Sequence, residues 1–239
     1  MAQRPIEREV LVIKEVAECF DAIAEDYSSK RRRPWSQLLE LVGGPGLFLD
    51  VGSGGGRHAA YLAKRGGEGV CLDIAKSMLK QAKAAGARLH FVRGDMRALP
   101  FRGDSFDAVL CIASIHHVPT KRMRMMAVLE AKRVLKPRGL LLLTVWSRWR
   151  LSSLWGMLKA WVGGSPRFFE VGDAEVPWTY RGRKYVRFYH LFTKGELRKL
   201  VEGAGLRVLR LEGFSPRPSL LPQNYVALAV KEVGVHPKA

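Results

Sequence analysis

Short apolar runs alternate along the chain with stretches whose apolar residues recur every three or four positions. That alternation predicts βαβ units folded into a mostly parallel sheet with helices on both faces. The runs are Leu47 to Val51, Gly69 to Asp73, Leu89 to Arg93, Phe106 to Ile112 and Gly139 to Val145. Between them, Arg57 to Arg65, Ala75 to Ala85 and Lys121 to Leu135 have helical periodicity. Ahead of the sheet, Ile6 to Tyr27 carries Val10, Ile13, Val16, Ala17, Phe20 and Ile23 on one helical face. After the fifth run the pattern breaks in a stretch holding Trp146, Trp149, Trp155, Trp161 and Trp178. It resumes as a helix from Thr193 to Gly203, followed by strands near Leu206 to Leu211 and Asn224 to Lys231. Glu196 stands three residues after Thr193, a capping box that sets the start of that helix. The expectation is one α/β domain over residues 1–239, with a helical N-terminal segment at 1–45 and a Trp-rich insertion at about 146–185.

Composition narrows the class. A chain of 239 residues with 47% apolar and 26% charged residues is sized and balanced for a single globular domain. No apolar run approaches the roughly 18 residues that span a bilayer. Met1 to Val12 lacks the apolar core of a signal peptide, so a cytoplasmic, membrane-free location is expected. Cys19, Cys71 and Cys111 form no CxxC pair and no even disulfide set, and they are expected to be reduced core residues with no metal site. The charge is the most telling bulk property: 40 Lys and Arg against 22 Asp and Glu, a formal +18. It is clustered, with seven basic residues against Glu130 alone from Lys121 to Arg138, and ten against three from Arg181 to Arg217. Clustering favours a polyanionic partner over general adaptation to heat or salt.

Candidate chemistry starts at Leu49-Asp50-Val51-Gly52-Ser53-Gly54-Gly55-Gly56, where the first strand runs into a helix. Glycines there let the backbone turn tightly and approach a ligand closely. A dinucleotide fingerprint would need a small residue where Arg57 stands. Asp50 at the mouth of the turn is unfavourable beside a pyrophosphate and favourable beside an ammonium or sulfonium ion. S-adenosylmethionine carries both cations and no phosphate. Asp73, ending the second strand, can accept both ribose hydroxyls, and Asp95, after the third, can accept from the adenine amino group. Each has a plainer reading, Asp73 as a helix cap and Asp95 as a turn residue, but three carboxylates at three successive strand ends favour the cofactor. Tyr27, Gly52, Gly54, Gly56, Ile74, Met96 and Ile112 complete the expected cofactor site. The fourth strand delivers Ser114, His116 and His117 to the same crevice; with no GxSxG elbow and no adjoining acid, they do not make a hydrolase.

These residues resemble the S-adenosylmethionine-dependent methyltransferases that act on the carboxymethylated wobble uridine of tRNA. The likeness is carried by Tyr27-Ser28-Ser29-Lys30-Arg31-Arg32-Arg33-Pro34-Trp35, by Leu99 to Val109 continuing through His116-His117, by Arg187-Phe188-Tyr189-His190-Leu191-Phe192, and by Asn224-Tyr225. Gln223 departs from the acid usual before Asn224, and Tyr225 from the usual Trp. The resemblance implies a Rossmann-like class I fold with strand order 3-2-1-4-5-7-6 and methylation of a carboxylate. A carboxylate is already ionised at neutral pH and needs no general base, so catalysis is alignment. Arg31 and Arg187 would grip the carboxylate or a flanking phosphate, while His117, Tyr189 and His190 would stack on or hydrogen-bond the splayed base. The family also implies a small zinc-binding activator protein paired to the edge strand Leu89 to Arg93. Two other readings stay open: a methyltransferase for a small metabolite with the Trp-rich stretch as an apolar lid, and a non-catalytic interaction platform.

Overall fold

The computed structural model describes residues 5–44, 46–84, 89–149 and 167–233. The chain runs through α1 (Pro5–Lys30), the short α2 (Ser36–Leu39), β1 (Leu47–Val51), α3 (Arg57–Ala63), β2 (Glu68–Asp73), α4 (Lys76–Ala84) and β3 (Leu89–Arg93). Then come β4 (Phe106–Ile112), α5 (Lys121–Val134), β5 (Leu135–Trp146), β6 (Asp173–Tyr180), β7 (Arg183–His190), α6 (Lys194–Gly203), β8 (Arg207–Phe214) and β9 (Asn224–Val230). Seven strands make one sheet in the order β3-β2-β1-β4-β5-β9-β8. Pairing is parallel from β3 to β5, and β9 is antiparallel to both neighbours. Counted within the sheet, this is the expected 3-2-1-4-5-7-6 of a Rossmann-like class I methyltransferase fold.

Strand periodicity explains why the sheet is covered twice. Leu49 and Val51 of β1 join a core with Val128 and Ala131 of α5 and Leu197 and Val201 of α6. Phe48, one step along, points the other way, to Ala59 and Leu62 of α3 and Leu38 and Leu39 of α2. Gly69 is the site of closest approach on that face: a Cβ there would lie 2.2 Å from the Phe48 ring. The Thr193–Glu196 capping box forms as expected, each residue bonding the other's backbone N–H. Cys19, Cys71 and Cys111 are buried free thiols. The N-terminal helix runs one turn past its expected end, so Ser28, Ser29 and Lys30 are helical and Arg31 is the first residue beyond it.

The Trp-rich stretch holds an element the sequence did not announce. β6 and β7 form a separate antiparallel hairpin, in register from Asp173↔His190 to Tyr180↔Arg183. Its two-residue loop, Arg181-Gly182, takes left-handed backbone at φ 48 and 73, where Asn-Gly is the usual signal. Trp155 and Trp161 lie outside the described residues, while Trp178 sits on β6. The base of the hairpin is fixed by Asp173, which accepts the backbone N–H of Phe169 at 2.7 Å and of Glu170 at 2.9 Å and pairs with His190 Nδ1 at 2.7 Å. Glu170 in turn pairs with the buried Arg124 of α5.

Removing the Asp173 carboxylate leaves two N–H groups and a buried ring without their acceptor. Asp173→Ala is expected to lower the unfolding free energy by about 3 kcal/mol, and Asp173→Asn, which keeps one acceptor oxygen, by less. Urea denaturation of the three proteins checks this, and equal midpoints would refute it.

Candidate active site

Three glycines shape the turn after β1, for different reasons. Gly52, Gly54 and Gly56 have φ of 68, 55 and 71, backbone that L side chains rarely adopt. A Cβ on Gly52 would come within 2.4 Å of Ser114 Cβ, and one on Gly56 within 2.8 Å of Ala82 Cβ. Gly54 has nothing within 4 Å of that position. Gly54 therefore faces open space, whereas Gly56 is needed for packing against α4 and starting α3.

Beside the turn lies a cavity, the concave setting in which small-molecule sites occur. Gly52, Gly54, Asp73, Ile74, Asp95 and Met96 line it from the sheet edge. Phe20 and Tyr27 line it from α1, and Ser114 and His117 from the end of β4. Of the ten residues expected at the cofactor, Tyr27, Gly52, Gly54, Asp73, Ile74, Asp95 and Met96 meet at this cavity. Gly56, Ile112 and Asp50 do not. Ile112 points into the core under the sheet, and the next residues, Ala113 at φ 54 and Ser114, reach the cavity instead.

Asp50 corrects a second expectation. Strand periodicity turns it to the same face as Phe48, beneath the turn and 1% exposed, not at its mouth. Among the described residues its Oδ2 has no hydrogen-bond partner. Burial, and then the charge of Asp73, push its carboxyl up to about 7. Asp73 sits at the cavity wall. Its Oδ2 accepts the N–H of Gly54 at 2.8 Å and its Oδ1 that of Ala75 at 2.9 Å, so it caps α4 and braces the turn at once. Burial holds it at about 6 despite those bonds. Asp95 reaches the cavity already paired with Arg97, whose Nη2 lies 2.5 Å from Oδ2, a partner the sequence did not suggest.

The far end of the cavity is aromatic. His117 Nδ1 lies 2.9 Å from the Phe188 carbonyl. A carbonyl only accepts, so that nitrogen carries the proton. Burial and the nearby Arg187 charge drive the ring's pKa down to about 3, and it is neutral. Phe20 and Tyr189 pack edge-on to it, at 4.9 and 4.4 Å between centroids. Arg187, 3% exposed, lies over Trp178 at 4.9 Å, Tyr189 at 5.3 Å and Phe20 at 5.9 Å. Its Nη1 donates to Tyr189 Oη at 2.9 Å and its Nε has no partner. Among the described residues no carboxylate forms an ion pair with it.

Two of the residues expected to touch a substrate base are otherwise engaged. His190 falls on the opposite face of β7 from Arg187 and Tyr189, 2% exposed and paired with Asp173. Tyr189 is 1% exposed and stacked on His116 at 4.8 Å, so its ring supports Arg187 and His117 and offers no free face. Arg31 is exposed beside the mouth, 6.0 Å over the Tyr27 ring. Phe20 and Trp178 were missed as site residues. Phe20 and Tyr27 stand seven apart, two turns of one helix face, which was visible; Trp178 needed the unforeseen hairpin.

The donor set fits an adenosyl cofactor. A carboxylate at the end of β2 lines the cavity, as an acceptor for ribose hydroxyls would, a glycine-rich turn faces it, and an unpartnered buried carboxylate oxygen lies beneath. A model of a methyltransferase domain matches residues 49–143. A protein of Encephalitozoon cuniculi bearing a methyltransferase name is 33% identical over 80% of this chain and 86% of its own length. The tRNA (carboxymethyluridine(34)-5-O)-methyltransferase of Schizosaccharomyces pombe is 29% identical over 81% of this chain and 89% of its own. In fold, the chain is similar to one from the complex between the Haloferax volcanii Trm112 methyltransferase activator and a methyltransferase. That match has a TM-score of 0.67 and 19% identity and covers 92% of this chain and 99% of that one.

The raised carboxyls set a pH dependence. Asp50 and Asp73 bind protons in the folded chain that the unfolded chain has released, so without ligand they favour folding below about pH 4 and lose that contribution as pH rises through about 6 and 7. A cationic ligand with ribose hydroxyl donors needs them ionised and acts in the opposite direction. S-adenosylmethionine affinity is expected to fall about tenfold from pH 7.5 to 5 through Asp73 alone and further through Asp50, with protons released on binding near pH 6. Calorimetry in buffers of different ionisation enthalpy measures both, and an affinity flat across that range would refute the assignment.

Proposed function

The chain belongs to the S-adenosylmethionine-dependent methyltransferases, and on that premise we propose that it converts the carboxymethyl group of a modified wobble uridine in tRNA to its methyl ester. The observation that carries this reading is Arg187. A buried guanidinium without a carboxylate is costly unless an anion completes it, and this one packs behind Phe20, which lines the cavity's far end beside His117. A substrate carboxylate is that anion. The name of the fission-yeast relative and the +18 charge support the same substrate class.

The residues then divide the work. Asp73, Gly54 and Tyr27 hold the cofactor, and Asp50 adds negative charge from below. Bound S-adenosylmethionine supplies an electrophilic methyl group in line with a carboxylate oxygen. Arg187 orients that carboxylate by hydrogen bonds to a charged group. Neutral His117 adds no positive charge that would compete with the cofactor. Esterification removes the negative charge, so the product loses its pairing with Arg187 and leaves.

Label from the methyl group of S-adenosylmethionine is expected on tRNA that lacks the ester, and mild alkali is expected to release it. Label confined to a pool of small acids would favour the metabolite reading, and no transfer at all a non-catalytic one. Arg187→Met is expected to lower kcat/KM about 10- to 100-fold, the span for one hydrogen bond to a charge, with cofactor affinity unchanged.

The reading includes a partner. β3 is the outer strand beside β2, and its other edge is unpaired by any described strand. Leu89, Phe91 and Val92 are half-buried there. Arg93 bonds back to the Ile74 carbonyl, and no proline interrupts the strand. An open edge of this kind invites strand addition, and the Haloferax methyltransferase was solved with an activator. A small acidic, zinc-binding activator is expected to slow hydrogen exchange across Leu89 to Arg93 and raise activity. Slow exchange there that is the same with and without the partner would remove the proposal.

A further inference from the structure

The basic excess of residues 181–217 has its most ordered expression in the β6–β7 hairpin, away from the reacting groups. Directly paired residues of an antiparallel ladder share a face. Arg187↔Val176, Tyr185↔Trp178 and Arg183↔Tyr180 are paired, so Arg187, Tyr185 and Arg183 follow one another along one face of β7. Four residues of strand cover about 13 Å. Over that distance the row passes from the buried Arg187 to the exposed Arg183 at the tip. Cation and ring alternate throughout: Arg183 lies 5.4 Å over Tyr185, Arg181 5.0 Å over Tyr180 and Lys30 5.2 Å over Trp178.

The band continues across α1. Trp178 Nε1 donates to Asp26 at 2.8 Å and Tyr180 Oη to Glu25 at 3.0 Å, which fixes the hairpin along the end of that helix. Arg31, Arg32 and Arg33 follow, all exposed. Arg57 then donates to the Arg31 carbonyl at 3.2 Å and lies 5.6 Å over Trp35. The acids within the band, Glu25 and Asp26, are already engaged by Tyr180, Arg181, Trp178 and Lys30. Among the described residues Arg32, Arg33, Arg183 and Lys184 form no ion pair. Arg181 occupies a left-handed turn position, φ 48, that suits Asn or Gly better, so the tip keeps a cation against its backbone preference.

We propose that the β6–β7 hairpin is an RNA-docking arm: Arg181, Arg183 and Tyr185 toward its tip, continued by Arg31 to Arg33, hold the phosphates and bases of a single-stranded loop and lead it to the cavity mouth at Tyr27. This rests on the tRNA reading above and gives it a surface. Cations that track a backbone, interleaved with rings on which bases stack, are what single-stranded RNA requires. An acidic membrane would use the charge but also needs aliphatic side chains to bury, and the tip from Thr179 to Lys184 has none.

The test uses the full chain with Arg181→Ala and Arg183→Ala combined, and separately Tyr185→Ala. Binding to an unmodified anticodon stem-loop is followed by fluorescence anisotropy across a salt series. The double variant is expected to bind at least tenfold more weakly at low salt, and its log K against log salt slope to be shallower by about 1.4, from two lost phosphate contacts on a single strand. Tyr185→Ala is expected to weaken binding with the slope unchanged. S-adenosylmethionine affinity and melting temperature report that the fold is intact. If the parent binds and methylates tRNA while both variants match it in affinity and slope, the arm is wrong and the substrate reading stands. If the parent binds no RNA, both fall together. Binding to phosphatidylserine vesicles in place of RNA, lost in the double variant, would overturn the proposal in favour of a membrane surface.

Discussion

The site depends first on the Asp73 carboxylate receiving two backbone N–H groups at once, from Gly54 in the glycine turn and from Ala75 ahead of α4. The first bond adds to the backbone bonds from Gly52 and Ser53 to Leu72 that hold the turn. The second fixes the helix that packs beneath Gly56. Because β1 and β2 are neighbours in register, Asp50↔Cys71 and Val51↔Leu72, the end of β2 is the nearest rigid point from which such a brace can come. The cost is desolvation of a carboxylate, which the N–H bonds only partly offset, and Asp21 of α1 adds like charge. A site with two under-satisfied carboxylates is poised for a ligand that brings cations and hydroxyl donors and is poorly suited to one that brings phosphates.

The sequence made this half of the molecule legible because its signals are local. Leu49 to Gly56 is a strand running into a turn, and Asp73 and Asp95 are found by counting strand ends. Errors there came from strand parity, which decides face. Asp50 was expected at the mouth and lies under the turn, and Ile112 was expected at the cavity and gives way to Ser114 two residues on. The same parity separates His190 from Arg187 on β7, so two members of one aromatic-basic motif have unrelated duties. His190 holds the base of the hairpin through Asp173, while Arg187 packs among Phe20, Trp178 and Tyr189.

The hairpin itself was not legible. Its strands carry polar and aromatic residues on both faces, and its loop lacks the Asn-Gly or Asp-Gly signature, so neither periodicity nor turn chemistry marks it. What stabilises it lies far away in the chain. Trp178 bonds Asp26 and Tyr180 bonds Glu25 across more than 150 residues, and Arg167 pairs with both Glu15 and Glu175. Such contacts cannot be read from a window of sequence, and they decide where the substrate end of the cavity is.

The two halves therefore answer to different constraints. The glycine-turn end of the cavity is built on the sheet edge, with Tyr27 of α1 across from it, and is held by strand pairing that the fold cannot lose. The aromatic end is assembled from α1 and β7, which meet beside Phe20 and Arg187. Rings and one bonded hydroxyl hold the Arg187 cation, and among the described residues no carboxylate pairs with it. Three aromatic faces contribute a few kcal/mol at most to a buried guanidinium, less than its desolvation takes away. The difference is a bias toward any ligand that brings an anion to that position. A neutral side chain there would be more stable and would leave the glycine-turn end untouched. The cation is explained by what the cavity must receive, and stability alone would not have placed it there.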